Sequence, residues 1–287
     1  MYLEHFGLRE YPFQLTPNTA YFYERAGHRD ALRVLVTALE TGEGFIRVTG
    51  EVGTGKTLLC HRLLRELGDD WVAAMIPNPA LDPEALREVV AEEFGAPVPQ
   101  GANAHELLGR LHGRLREIAE QGRRAVLVID EAQVMSDESL EMVRLLTNLE
   151  TEQAKLLQVV LLGQPELNRR LAEPQLRQLR QRCSFHHQLD PLPPSMVDDY
   201  LHHRLQTAGY RGRSPFTRGA LRLLVRGAGG VPRMLNTLAH KALLAAYGDG
   251  AEAVEREHVA RAIADTETTG RRALPLRDRL LAGRRAG

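Results

Sequence analysis

Apolar and polar positions follow two different rhythms along this chain, and the change falls near residue 190. In the first part, short apolar runs alternate with longer stretches of helical period. FIRVT (45–49), WVAAMI (71–76), AVLVI (125–129) and LLQVVLLG (156–163) read as strands, with FHHQL (185–189) as a last one. AVLVI and LLQVVLLG are apolar almost throughout, as expected of strands buried on both faces of a parallel sheet. Between them, HRDALRVLVTALE (28–40) places Leu32, Leu35, Val36 and Leu39 on one helical face, and TLLCHRLLREL (57–67) does the same with Leu59, Leu63, Leu64 and Leu67. Asp82 is placed to cap PEALREVVAEEF with Pro83 in the first turn. The stretch 104–121 carries Leu107, Leu108, Leu111 and Leu115 on one face and ends at Gly122; its Gly109 and Gly113 weaken the regularity, not the type. Ser136 or Asp137 caps ESLEMVRLLTNLE, and LNRRLAEPQLRQLRQR (167–182) reads as helical. Repeated strand–helix units of this kind predict a three-layer αβα domain with ligands beyond the carboxyl ends of the strands.

The second rhythm is purely helical. DPLPPS (190–195) places three prolines in six residues and marks the domain boundary. Beyond it, helices are expected over 196–209, after Thr217 as N-cap, over 231–248 from near Pro232, and over 255–267. The expected organisation is an αβα domain over 1–190, a helical domain over 191–270, and a basic tail over 271–287 with six arginines against Asp278. A helical module of roughly 75–80 residues is near the lower limit for independent stability and is expected to dock on something larger. YPFQLTPNTAYF (11–22) is expected to be irregular chain lying over another part of the protein.

Composition narrows the partners. Lysine plus arginine and aspartate plus glutamate number 37 each, so no broad electrostatic footprint for nucleic acid or a membrane surface is expected. Cys60 and Cys183 are the only cysteines and form no C-x-x-C pair, which argues against disulfides or structural zinc. The N-terminus contains Glu4 and His5 and has no secretory apolar core, and no run approaches the roughly 18 apolar residues of a membrane span. The expectation is a cytoplasmic, soluble protein that reaches a membrane, if at all, through a partner.

The chemistry concentrates at GEVGTGKT, residues 50–57. It fits G-x-x-x-x-G-K-[ST] and has the expected strand before it and helix after it. Gly50, Glu51, Val52, Gly53, Thr54 and Gly55 would wrap backbone amides around phosphates, Lys56 would reach the β- and γ-phosphates, Thr57 would ligate Mg2+, and Leu58 would follow in the helix. The pattern predicts the pocket of a P-loop NTPase, against a plain glycine-rich turn with a surface lysine. AVLVIDEAQ (125–133) adds consecutive acids at a strand end: Asp130 for the metal, Glu131 to orient and activate the attacking water. That pair favours an ATPase over a kinase. Gln164, at the end of LLQVVLLG, is placed to hydrogen-bond the water or serves as a turn residue. In LRQLRQR (176–182), Arg177, Arg180 and Arg182 are candidates for an arginine finger acting on a neighbouring subunit, or lie on a solvated face. Arg233 sits in a first helical turn, where the dipole disfavours a cation and an anionic partner such as the γ-phosphate would account for it.

Taken together, YLEHFGLREYPFQLTPNTAYF, GEVGTGKTLLC, VLVIDEAQ, LLTNLET, LLQVVLLGQPEL, LRQLRQR and GGVPRMLN resemble the AAA+ ATPases of the ExeA/GspA group, in order and spacing, to about residue 267. The resemblance implies an AAA+ αβα domain followed by a helical lid. It matches Lys56 and Thr57 to the P-loop, Asp130 and Glu131 to the Walker B acids, Gln164 to sensor 1 and Arg233 to sensor 2, with Arg180 and Arg182 as finger candidates. Tyr11, Pro12, Phe13 and His28 become candidates to flank adenine. It also implies an ATP- and Mg2+-dependent homo-oligomer, with a hexameric ring as one form. Such an oligomer would remodel or order inner-membrane proteins of a type IV, MSHA-like pilus or a type II secretion apparatus. Longer members continue into a membrane segment and a peptidoglycan-binding module, which are expected to be missing here. The alternative reading is a DNA-associated helper ATPase of the transposition or replication type, which the basic tail favours and the neutral total charge disfavours.

Overall fold

In the computed structural model, which describes residues 2–24, 27–99, 101–151 and 155–266, the chain gathers into two compact units. One comprises the described residues of 25–52 and 56–190; the other comprises the described residues of 1–24, 53–55 and 191–266. The passage at residue 190 lies in the proline-rich stretch. The N-terminal 24 residues and the tip of the glycine loop, expected within the 1–190 domain, instead group with the helical unit.

The chain opens on one helical turn, α1 (Tyr2–His5), and an aromatic segment. The sheet unit then runs α2 (Gly27–Glu40), β1 (Phe45–Gly50), α3 (Lys56–Leu67), β2 (Trp71–Ile76), α4 (Pro83–Glu93), α5 (Ala104–Glu120), β3 (Arg124–Ile129), α6 (Asp137–Leu146), β4 (Gln158–Gly163), α7 (Pro165–Leu171), α8 (Arg177–Arg182) and β5 (Phe185–Leu189). The strands form one sheet in the order β2-β3-β4-β1-β5, every pairing parallel. β4 lies between β1 and β3, with Val48 opposite Leu162, Thr49 opposite Gly163, and Leu161 opposite Ile129. The chain segments that follow β1, β3 and β4 therefore leave the sheet side by side at its carboxyl edge. That is where strand order reverses and where open α/β sheets bind ligands.

Burial explains the apolar runs. Val126–Ile129 and Val159–Leu162 are fully buried, and Leu127, Ile129, Val159 and Leu161 share one cluster with Leu86, Leu111, Leu140 and Leu167 from the helices. Asp82 caps α4 by accepting the amides of Glu84 and Ala85, and Asn103 caps α5 from His105 and Glu106, so Gly109 and Gly113 are carried within one unbroken helix. Two helical spans come out shorter than their patterns. α6 stops at Leu146, where Thr147 is the C-cap and its hydroxyl donates to the Arg144 carbonyl at 2.7 Å, competing for an acceptor of the last turn. The 167–182 stretch breaks into α7 and α8, since Pro174 offers no amide and biases Glu173 away from helical geometry.

The second unit contains α9 (Val197–Thr207), α10 (Arg218–Ala228), α11 (Pro232–Gly248) and α12 (Arg256–Ala264). Its core draws heavily on the N-terminal segment: Tyr2, Phe6, Phe13 and Tyr21 pack with Leu201, Leu224, Leu238 and Ile263. Burying each such ring stabilises the unit by about 2 kcal/mol on an extended-chain reference, which four short helices alone would lack. Arg204 fastens the segment. The residue is 6% exposed, and its guanidinium donates to the carbonyls of Pro12 (2.6 Å) and Gln14 (3.2 Å) and stacks 4.6 Å over the Tyr21 ring. The helix expected over 255–267 is observed to Ala264, and the 271–287 tail lies outside the described residues.

Candidate active site

β1 ends at Gly50, and the chain turns through Glu51–Gly55 into α3. Gly53 and Gly55 hold φ of +83° and +99°, conformations that a side chain resists. Glu51 and Val52 are exposed, Thr54 is fully buried, and Leu58 is half-buried on α3. Lys56 begins the helix and is 5% exposed; its ammonium folds back to donate to the carbonyls of Gly50 (2.8 Å) and Glu51 (3.1 Å). Burial lowers its pKa, while Glu131 and Asp130 pull in the opposite direction. The loop is thus lined by one buried cation with two nearby carboxylates. Beneath it, the buried Thr49 hydroxyl hydrogen-bonds His186 Nε2 on β5 (3.0 Å) and accepts from Asn168 on α7 (3.1 Å), tying the end of β1 to both neighbours.

The acids come from the end of β3. Asp130 is 2% exposed; its amide donates to the Ile76 carbonyl, and its Oδ2 accepts the Thr57 hydroxyl at 2.5 Å. Residues 73 apart in sequence are thereby joined. The amide of Glu131 donates to Asp130 Oδ1 at 2.8 Å. Glu131 has φ of +51°, the only positive φ outside glycine among the described residues, so the turn aims its carboxylate by a backbone form that costs about 1–3 kcal/mol. Gln164 N-caps α7 at the end of β4, and its Nε2 lies 3.5 Å from Glu131 Oε2.

Gln133 is a residue that sequence reasoning did not single out. Its Nε2 donates to Glu131 Oε2 at 2.6 Å, its Oε1 accepts the Gln164 amide at 3.0 Å, and its carbonyl accepts from Arg170 at 2.9 Å. The signal was present as the last letter of DEAQ, but nothing in one strand-end motif says that its amide spans to the next strand. Arg170 also binds the Met135 carbonyl and the Asp137 carboxylate, and holds that carboxyl below its usual range. Ser136, rather than Asp137, caps α6.

The remaining candidates are placed as follows. Arg233 is exposed in the first turn of α11, and its amide donates to the Gly53 carbonyl at 3.1 Å. A Cβ on Gly53 would lie 2.6 Å from Arg233 Cβ, and φ is already left-handed there. Gly53→Ala is accordingly expected to lower the thermal midpoint by several degrees and weaken nucleotide binding by about 10-fold or more. A melt and a fluorescent-nucleotide titration matching the parent would show that the loop tip does not need this contact. Arg177 and Arg180 are exposed on α8, whereas Arg182 is half-buried and donates to the Thr147 hydroxyl at 3.0 Å, so the three are not equivalent. Tyr11 and Phe13 lie in the helical unit, lining a pocket of about 540 Å³ with Tyr2, His240 and Tyr247, while Pro12 serves Arg204 through its carbonyl. His28 is buried on α2. No helix of the described residues is long and apolar enough to cross a membrane.

Comparison with known proteins agrees with this geometry. A family model described as an AAA domain matches residues 39–171, which include β1 to α7. General secretion pathway protein A of Aeromonas hydrophila is 42% identical over 254 residues, covering 88% of this chain and 46% of that protein. The chain thus spans about half the length of this curated relative. Among solved structures, Cdc6p of Pyrobaculum aerophilum aligns over 88% of this chain and 69% of its own, with a TM-score of 0.68 and 20% identity. The ORC1 protein of Aeropyrum pernix, solved in complex with DNA, aligns over 90% and 69%, with a TM-score of 0.65 and 22% identity. These two speak for the fold. With the P-loop, the acidic strand end and the relative's identity in agreement, the chain carries an AAA domain of P-loop type and is closely related in sequence to General secretion pathway protein A.

Proposed function

We propose that the chain hydrolyses ATP at the loop between β1 and α3, and that the cycle remodels or orders components of a type II secretion or type IV, MSHA-like pilus apparatus. The observation that carries the chemical part is the 2.5 Å bond between Thr57 Oγ1 and Asp130 Oδ2. It brings the two halves of a hydrolytic site together. Two hard oxygen ligands converging in this way suit Mg2+, which Thr57 and Asp130 would hold and which would neutralise charge on the phosphate oxygens. Lys56 then exchanges the Gly50 and Glu51 carbonyls for β- and γ-phosphate oxygens, with no change in the number of its acceptors. Glu131 accepts the proton of the water whose oxygen attacks the γ-phosphorus, as the bond from that phosphorus to the β–γ bridging oxygen breaks. Gln164 helps to hold that water.

Arg233 is proposed as the residue through which the helical lid responds to nucleotide, supported by its amide contact at the loop tip. Arg177 and Arg180, both exposed on α8, are better placed than Arg182 to reach a neighbouring copy in a homo-oligomer, since Arg182 is engaged with Thr147. The secretion or pilus role rests on the relationship to General secretion pathway protein A, with the protein acting at the cytoplasmic face of the inner membrane through a protein partner.

Phosphate release from ATP, with Mg2+ and with a chelator, tests the chemistry: steady turnover that chelation stops is expected, and no turnover by the folded oligomer with Mg2+ present would refute it. The cellular role is tested by affinity capture from the native cell with the Glu131→Gln protein and ATP. Recovery of secretion or pilus proteins is expected. Recovery dominated by DNA-maintenance proteins would move the assignment to a DNA-associated helper.

A further inference from the structure

We infer that Gln133 is a positioning residue that fixes the Glu131 carboxylate and couples it to the turn after β4. The inference rests on the hydrolytic reading of Glu131 given above. Glu131 is a flexible side chain on a left-handed residue, and a proton acceptor displaced by about 1 Å from its working position can lose 10²-fold in rate. Something must hold it. Gln133 Nε2 donates to Oε2 at 2.6 Å, the shorter of the two amide contacts to that oxygen, since Gln164 Nε2 stands at 3.5 Å. With Oε2 so engaged, Oε1 is the oxygen that meets the water.

Gln133 is itself fixed at three points. Its Oε1 accepts the Gln164 amide, its carbonyl accepts Arg170 Nη1, and its side chain fits against Gly163, where a Cβ would come within 3.2 Å of Oε1. The result is a continuous chain of hydrogen bonds from the Thr57 hydroxyl through Asp130, the Glu131 amide and carboxylate, and Gln133 to the backbone of Gln164. The ends of β3 and β4 are adjacent because their strands pair directly. A glutamine suits the post because its amide donates at one end and accepts at the other, and it carries no charge to compete with Glu131 or Lys56.

The test uses Gln133→Met, which keeps side-chain length and removes both hydrogen bonds, and Gln133→Glu, which keeps the acceptor and loses the donor. Both are expected to lower kcat by about 10- to 100-fold, with the Kd of a non-hydrolysable ATP analogue within about twofold of the parent. In the Glu131→Gln background, single-turnover hydrolysis is expected to be insensitive to Gln133→Met, because the residue acts through Glu131. Unchanged or raised kcat in the single variants overturns the inference. So does an equal proportional loss in the Glu131→Gln background, or a parallel loss of nucleotide affinity, which marks a merely structural role. If Glu131→Gln alone hydrolyses at the parent rate, the assignment of Glu131 fails first, and that outcome is distinct from a silent Gln133.

Discussion

Replacing Lys56 with alanine is expected to weaken ATP binding by about 10²-fold or more, leaving the apo protein folded. In the apo protein Lys56 donates to two neutral carbonyls that anionic phosphate oxygens would replace, and each such exchange is expected to gain about 1.5 kcal/mol or more. Two such exchanges correspond to a loss of about 10² or more in affinity. The folded state has less at stake. Burial lowers the Lys56 pKa, so keeping this ammonium in a site 5% exposed already works against its charged form. Removing it relieves that desolvation while giving up the two loop contacts, and the thermal midpoint of the apo protein is expected to stay within a few degrees of the parent. A fluorescent-nucleotide titration beside a melt separates the two effects. Tight binding by the variant would show that the loop's amides suffice and that Lys56 is not the principal phosphate ligand.

Glu131→Gln should do the opposite, preserving nucleotide binding while slowing hydrolysis by about 10²- to 10⁴-fold. The substitution is nearly isosteric, and the new amide oxygen can still accept from Gln133 Nε2, so the left-handed turn and the hydrogen-bond chain keep their form. What disappears is the group able to take a proton. Single-turnover phosphate release measures this directly, with analogue affinity as the control. Parent-rate hydrolysis would remove Glu131 from the water-activating role and shift attention to Gln164 or to a residue from a neighbouring subunit. Because the variant holds ATP without consuming it, it is also the form suited to capture of partners.

Much of the fold was legible because local pattern and tertiary demand agree. The apolar runs of β3 and β4 have no polar face to misplace, and the caps at Asp82 and Thr217 act within their own turns. Where one residue breaks the backbone, pattern misleads: Pro174 interrupts a helix that hydrophobic period would continue. The site was legible to the same depth. Lys56, Thr57, Asp130 and Glu131 belong to motifs whose spacing is set by one turn, whereas Gln133 reaches the Gln164 amide only when β3 and β4 pair.

The N-terminal segment shows the limit most clearly. Aromatics and prolines mark residues 11–22 as irregular and covering, but not what they cover. The buried Arg204, 190 residues from Gln14, donates to the carbonyls of Gln14 and Pro12, and the ring cluster around Tyr2 completes the helical unit. Sequence alone determined the strand–loop–helix unit around GEVGTGKT, the acidic strand end, the three-layer class and the helical second part, because each is encoded by residues within a few turns of one another. Tertiary structure decided the strand order, the meeting of Thr57 with Asp130, the bridging place of Gln133, and the side on which the first 24 residues pack. Those depend on contacts between distant residues, whose partners are selected by burial and hydrogen-bond satisfaction across the whole core and not by any local period.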